Sequence, residues 1–275
     1  MTVTSYTNVR LWDGKSDTYS NHDAITVDGD RIVSLSADRK NGVDCNGLTA
    51  IPGLMDAHVH MTIDPDIRGT AEQMALPSDQ VRLAMAERAR RMVQAGITTA
   101  RDLGGGKWLE IELRERILRG EIPGPRLQCA GQPVTSVKGH CWFWGGEVAT
   151  EQDAVDVIDR QKRRGADLIK IMATGGKLTK STNPGVAQFS TRELEHIVAA
   201  AEERGMRTAA HCHGTAGIGN AAAACVTTIE HCSWMDENQD RSAFDEDIAA
   251  CIGRNGCFVS PTIYDKWTGI WNKSD

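Results

Sequence analysis

No apolar run in the chain approaches the roughly 18 to 20 residues that a bilayer-crossing helix needs, so no membrane partner is expected. Residues Met1 to Arg10 are polar and lack a basic stretch followed by an apolar one. That argues against a secretory or transit leader and makes the cytoplasm the expected compartment. A surplus of positive charge is missing too: 31 Lys and Arg stand against 37 Asp and Glu, for a formal charge of −6. Such a balance gives no electrostatic motive to bind a nucleic acid. The eight cysteines contain no CxxC pair and no dense framework, which excludes a disulfide-stapled scaffold and suits reduced thiols used for packing. Proline is scarce, with 8 residues against 27 Gly, and 40% of the chain is hydrophobic, so a disordered or fibrous protein is excluded as well.

What remains is a packed fold of 275 residues, and its texture changes near residue 51. Residues 1–50 carry short alternating segments such as Asn8–Trp12 and Asp23–Val27, separated by Asp13-Gly14 and Asp28-Gly29-Asp30. These read as small antiparallel strands and hairpin turns, part of a small N-terminal β-domain. In 51–275, short apolar runs alternate with helical patterns of about 10 to 16 residues, the mark of repeated βα units on a parallel sheet. Strands are expected near 54–58, 98–102, 126–130, 168–172, 208–211, 227–230 and 258–261. The helical stretches are 78–94, 108–118, 152–163, 192–203, 216–224 and 242–254. The fourth helix opens on Ser190-Thr191-Arg192-Glu193, a capping box, and ends before Gly205. Seven strands in one series exceed a minimal doubly wound sheet and approach a (β/α)8 TIM-type barrel lacking its eighth strand.

His58 and His60, Asp102, Lys170, His211 and His231 all fall at or just past the C-terminal end of an expected strand, where a parallel barrel builds its active site. His58-Val59-His60 on a strand projects both imidazoles from one face, so the pair can grip one metal ion. An isolated His-x-His is more often two ordinary histidines; here a strand delivers them to the barrel mouth. Lys170 shares a strand face with Leu168 and Met172, where a bare ammonium would be costly. Reaction of the neutral amine with carbon dioxide would give an anionic carbamate able to bridge two cations; the plainer alternative is a strand-end lysine reaching solvent. His211 and His231 close the next two strands and suit Zn²⁺ or a similar ion. His213 is expected to support them rather than bind, and Cys212 and Cys232 to pack. His140, in the loop after the third strand, either holds a substrate carboxylate or makes a local hydrogen bond. Ala173-Thr174-Gly175-Gly176-Lys177 lacks P-loop spacing and reads as a tight turn at the site.

Together, Pro52–His60, Gly96–Asp102, Gly165–Ile171, Ala210-His211 and Ile229-Glu230-His231 resemble the amidohydrolase superfamily of metal-dependent hydrolases. Lys170–Gly176 is most similar to its branch of Xaa-Pro dipeptidases and carboxypeptidase-like enzymes. The resemblance implies a (β/α)8 barrel with a small β-sandwich, and two divalent metal ions, expected to be Zn²⁺. It also implies binding of the buried ion by His58 and His60, binding of the more exposed one by His211 and His231, and N6-carboxylated Lys170 between them. A bridging hydroxide would then attack the amide of a dipeptide or other small-molecule substrate, with His140 near the substrate carboxylate. The Glu that serves deaminases is replaced by Gly214-Thr215-Ala216 after His213, which disfavours deamination. The catalytic Asp expected at the end of strand eight would lie beyond residue 275. Asp265 and Asp275 follow no eighth strand, and the reading is therefore of a truncated chain. Exposed edges on strands one and seven would leave a homo-oligomer open. The alternatives are a cyclic-amide hydrolase of the imidazolone or lactam type and a metal-binding protein without turnover.

Overall fold

The computed structural model describes residues 3–36, 42–67 and 69–263, which fall into two units divided at Leu54. In the first unit β1 (Val3–Thr7), β2 (Arg10–Leu11), β3 (Ala24–Asp28), β4 (Arg31–Ser34), β5 (Val43–Asp44) and β6 (Thr49–Ala50) are all short. β1 pairs antiparallel with β3, and β3 turns back into β4 at Gly29, whose φ of +59° is a conformation glycine adopts without a Cβ clash. The sheet order is β4-β3-β1-β5, while β2 and β6 form a separate parallel pair.

The second unit carries the alternating series. After β7 (Leu54–Val59) come α1 (Thr70–Ala75), α2 (Ser78–Gln94), β8 (Ile97–Asp102), α3 (Leu109–Leu118) and β9 (Arg126–Cys129). A connecting segment holds β10 (Thr135–Ser136), a 3₁₀ turn at Trp142–Trp144 and β11 (Glu147–Val148). The chain continues through α4 (Glu151–Arg164), β12 (Leu168–Met172), α5 (Thr191–Glu202) and β13 (Arg207–Gly214), then α6 (Thr215–Ala223), β14 (Thr228–Met235), α7 (Glu246–Arg254) and β15 (Phe258–Ser260). Two sheets run in chain order, β7-β8-β9 and β12-β13-β14-β15, with parallel pairing throughout the second. The backbone stitches them together: Asp167 N–H donates to Cys129 O at 2.8 Å, Val134 N–H to Lys170 O at 2.8 Å and Met172 N–H to Val134 O at 2.8 Å.

All five residues of β12 are buried, as expected of a strand covered on both faces. Helix limits follow local chemistry. Ser190 and Glu193 form the capping box of α5, Thr150 and Asp153 do the same for α4, and Gly165 at φ +87° closes α4 in the left-handed conformation. Ile158, Ile169, Ile171, Leu194, Ile197, Ile218 and Ile229 fill the space between strands and helices. The expected seven strands and six helices are present with small shifts of their ends. β13 and β14 run on to Gly214 and Met235, so His211 and His231 lie inside strands rather than at their ends. α1, β10, β11 and the 3₁₀ turn had no expectation, since long-range contacts rather than periodicity hold them.

Candidate active site

The ends of β7, β12, β13 and β14 and the segments after β9, β12 and β15 enclose a cavity of about 370 Å³. His58, His60, His140, Lys170, His211, His213 and His231 line it. Six of the eight histidines thus meet in one chamber, with neighbouring ring centroids 4.5 to 5.3 Å apart. His22 and His196 lie outside that lining.

His58 and His60 are each fixed through Nδ1. His60 Nδ1 donates to Gly104 O at 2.8 Å, and His58 Nδ1 donates to Glu230 Oε2 at 2.8 Å. Both tautomers therefore leave Nε2 with a lone pair, the arrangement of a metal-binding imidazole held from behind. Glu230 is fully buried on β14 and does double duty, its Oε1 accepting from Arg101 Nη2 at 2.6 Å and from the Thr228 hydroxyl at 2.6 Å. Asp102, also fully buried, accepts from Met61 N at 2.7 Å and from Gly104 N at 2.8 Å, so one carboxylate steadies both the residue after His60 and its acceptor.

The opposite side is built differently. Lys170 is 1% exposed and its Nζ has no hydrogen-bond partner among the described residues. Burial pulls its pKa down to about 8. His211 Nε2 donates to Gly175 O at 3.1 Å, while its Nδ1 faces His231 Nε2 at 3.0 Å. His231 Nδ1 meets the Thr262 hydroxyl at 2.9 Å, and His213 Nδ1 meets the Ser233 hydroxyl at 2.8 Å. One ligand atom from each of His211, His213 and His231 lies within 4.8 Å of the others. The backbone makes this possible: β14 gains two residues on β13 between the pairs Cys212/His231 and Gly214/Met235. Within that bulge His231, Cys232 and Trp234 adopt φ of +67°, +48° and +53°. Left-handed backbone at three non-glycine residues costs on the order of 1 to 3 kcal/mol each and re-aims the side chains.

Electrostatics keep the histidines neutral. Burial lowers His60 and His213 to about 4 and His140 to about 3, and it pushes His58, His211 and His231 further below the ordinary imidazole value. Neutral imidazole is the form that ligates metal. Burial also raises the thiols, Cys212 strongly and Cys232 to about 11, so both are protonated. Both pack as expected, Cys212 inside the main core and Cys232 against its edge, where it also lines a second cavity.

All six expected site residues, His58, His60, His140, Lys170, His211 and His231, thus line one chamber. His140 is 4% exposed, its ring 4.6 Å from that of His211 and its Nδ1 without a partner among the described residues. Its backbone N–H is held by Gln188 Oε1 at 2.6 Å. Gly176 is the turn residue beside it, where any Cβ would strike the His140 ring. Asp265 and Asp275 lie outside the described residues. Sequence reasoning gave Glu230 no role and left His213 out of the ligating group. The signal for Glu230 was present, an acidic residue next to a candidate ligand in an apolar strand, which has to be buried and paired.

Comparison with known proteins adds three findings. The profile of the amidohydrolase family matches residues 49–270. Ochratoxinase of Aspergillus niger is 33% identical over 217 residues, 68% of this chain and 44% of its own length, so the chain spans less than half of the curated relative it matches. Among solved structures, a Xaa-Pro dipeptidase with methionine bound in its active site shares 28% identity at a TM-score of 0.82 over 100% of this chain and 70% of that one. A prolidase complexed with N-methylphosphonate-L-proline shares 26% at 0.83, over 98% and 68%.

Proposed function

The chain belongs to the amidohydrolase family, and from that premise we propose that it is a metal-dependent hydrolase of amide bonds, acting on dipeptides or N-acyl amino acids. We further propose that residues 51–275 belong to a (β/α)8-type barrel and residues 1–50 to a small β-sandwich. One observation carries the functional reading: a buried lysine with an unpartnered Nζ stands among six neutral imidazoles. Buried polar atoms in native proteins are nearly always partnered, so a group bound at Lys170 would account for its amine. The similarity to a Xaa-Pro dipeptidase and a prolidase supports the substrate class.

The donor set fits divalent metal. His58 and His60 present free Nε2 atoms toward the chamber and would hold one ion, expected to be Zn²⁺; His211 and His231 would hold a second, with His213 beside them. Among the described residues no Asp or Glu lines the chamber, and an anionic ligand made on the spot would balance two dications. Carboxylation of Lys170 would supply it: Nζ bonds to the carbon of carbon dioxide and releases one proton, and the amine becomes an anion with two oxygens. Bound metal supplies a water acidified to near neutral pH and polarisation of the scissile carbonyl. The chain's own residues do the rest. Glu230 and the Gly104 carbonyl orient the first pair of imidazoles, and Gln188 fixes the His140 backbone so that its unpartnered ring nitrogen can meet a substrate oxygen.

The test is metal stoichiometry by elemental analysis after loading with Zn²⁺ and bicarbonate, followed by hydrolysis of Xaa-Pro dipeptides and N-acetyl amino acids. Two ions per chain and metal-dependent release of an amino acid are expected. A chain that takes up no divalent metal overturns the reading.

A further inference from the structure

Resting on the hydrolase reading, we propose that Lys177 and Arg241 form a carboxylate-recognising pair that selects substrates whose released amino acid has an acidic side chain, glutamate or aspartate. Both line a cavity of about 370 Å³, together with Trp234, that shares Lys177, His213, His231 and Thr262 with the histidine chamber. Both cations are exposed, and among the described residues neither has an ion-pair partner. The positive fields of Arg241 and Lys177 both bear on His213. Among the described residues neither cavity is lined by an Asp or a Glu, so there the lining offers two positive charges and no carboxylate.

Their placement is built, although the side chains are long. The turn that carries Lys177 is tied by Gly176 N–H to the Thr182 hydroxyl at 3.1 Å and by Gly175 N–H to Val186 O at 3.1 Å. The segment that carries Arg241 is pinned on both sides. Asn183 Nδ2 donates to Glu237 O at 2.7 Å, the Thr215 hydroxyl donates to Ala243 O at 2.6 Å, and Phe244 packs edge-on against Trp234 with centroids 4.8 Å apart.

Covalent reach decides which carboxylate the pair meets. In an N-acyl amino acid the α-carboxylate carbon is bonded to the carbon that bears the scissile nitrogen, so it must sit deep, beside the buried histidines. A side-chain carboxylate is further from the nitrogen in aspartate and further still in glutamate, and it can extend to the exposed rim where Lys177 and Arg241 lie. Arg presents a fork suited to a carboxylate and Lys a mobile point charge.

The experiment measures binding of N-acetyl-L-glutamate and N-acetyl-L-glutamine by calorimetry to the chelator-treated, metal-free chain. The two ligands share the α-carboxylate and differ in side-chain charge. The acid is expected to bind about tenfold more tightly than the amide, with the gap shrinking as salt is raised. In the Lys177→Met/Arg241→Met double variant the gap should fall below about threefold. Equal affinity in the parent chain, or an unchanged gap in the double variant, overturns the pair. Substituting exposed residues leaves the core intact, which a circular dichroism melt verifies. Turnover is a separate readout. A gap without hydrolysis of any acyl amino acid sinks the hydrolase reading and leaves the pair standing, whereas hydrolysis without a gap does the reverse.

Discussion

The two sides of the histidine chamber solve the same problem in opposite ways. On the β7 side each imidazole is anchored through Nδ1, His60 by the Gly104 carbonyl and His58 by Glu230, which is itself held by Arg101 and Thr228. On the β12–β14 side the supports are a backbone carbonyl and hydroxyls rather than a carboxylate: His211 leans on Gly175 O, His231 on Thr262 and His213 on Ser233, His211 also faces His231 at 3.0 Å, and Lys170 Nζ has no partner among the described residues. The first side holds both imidazoles in a fixed tautomer with Nε2 unprotonated, as the proposed metal reading requires. The second leaves a buried amine unpaired among the described residues, and its β14 bulge holds three non-glycine residues in left-handed backbone.

That contrast is broken most directly at Lys170. Lys170→Met should lower metal uptake from two ions to at most one and cut hydrolysis by about a thousandfold or more, since polarisation and water activation both depend on the complete site. The same change should raise the stability of the metal-free fold by roughly 1 to 3 kcal/mol, because an unpaired buried amine is replaced by an apolar chain of similar length. Elemental analysis and denaturant unfolding read the two effects separately. A variant with undiminished metal content would show that the orphaned amine is not a ligand. Isotope-labelled bicarbonate and carbon NMR on the parent chain test the carbamate itself, and a labelled carbamate signal absent from the Lys170→Met chain is expected.

On the anchored side the largest effect is expected at Glu230. Glu230→Gln keeps the shape and removes the charge that joins His58 to Arg101, so metal affinity should drop by about 10- to 100-fold, the usual cost of losing an acceptor behind a ligating imidazole. Competition with a chromogenic chelator measures it. A loss of the same size in Thr262→Val, which removes the hydroxyl beside His231 Nδ1, would mean that the two sides are equally anchored and the contrast fails.

The same contrast marks how far the sequence could be read. His58-Val59-His60 and Lys170 were legible because strand periodicity fixes which face a side chain takes, and a charged residue in an apolar strand has few bland explanations. His211 and His231 were legible by their place in a repeating series of strands. Glu230 was given no role and His213 only a supporting one, for different reasons. The role of Glu230 depends on Arg101, which is 129 residues away in the chain, and no local pattern carries that pairing. His213 comes beside His231 only because of the β14 bulge, and left-handed backbone at His231, Cys232 and Trp234 runs against the preference of each residue type. The connecting segment from Pro133 to Ala149, which delivers His140, has no periodicity to read at all.

The anchored side has one weak point, and it touches only the stability of the fold and not the metal or the substrate. Behind His60, Glu110 is fully buried with neither carboxyl oxygen partnered among the described residues, and the Thr62 hydroxyl is likewise without a partner. Burial first, and then the neighbouring Asp102 carboxylate, raises Glu110 to about 8, while burial raises Asp102 to about 6. A carboxyl with a raised folded-state pKa gives stability that is complete below its unfolded value and is lost as pH climbs through the folded one. The metal-free parent chain should therefore lose up to about 3 kcal/mol from this group between pH 5.5 and pH 8.5. Glu110→Gln removes the titration and keeps the volume, so its unfolding midpoint should overtake the parent's at pH 8.5 and match it more closely at pH 5.5. If both chains keep a constant difference over that range, Glu110 is ionised throughout, and the anchored side would hide a buried charge as unpaired as the amine across from it.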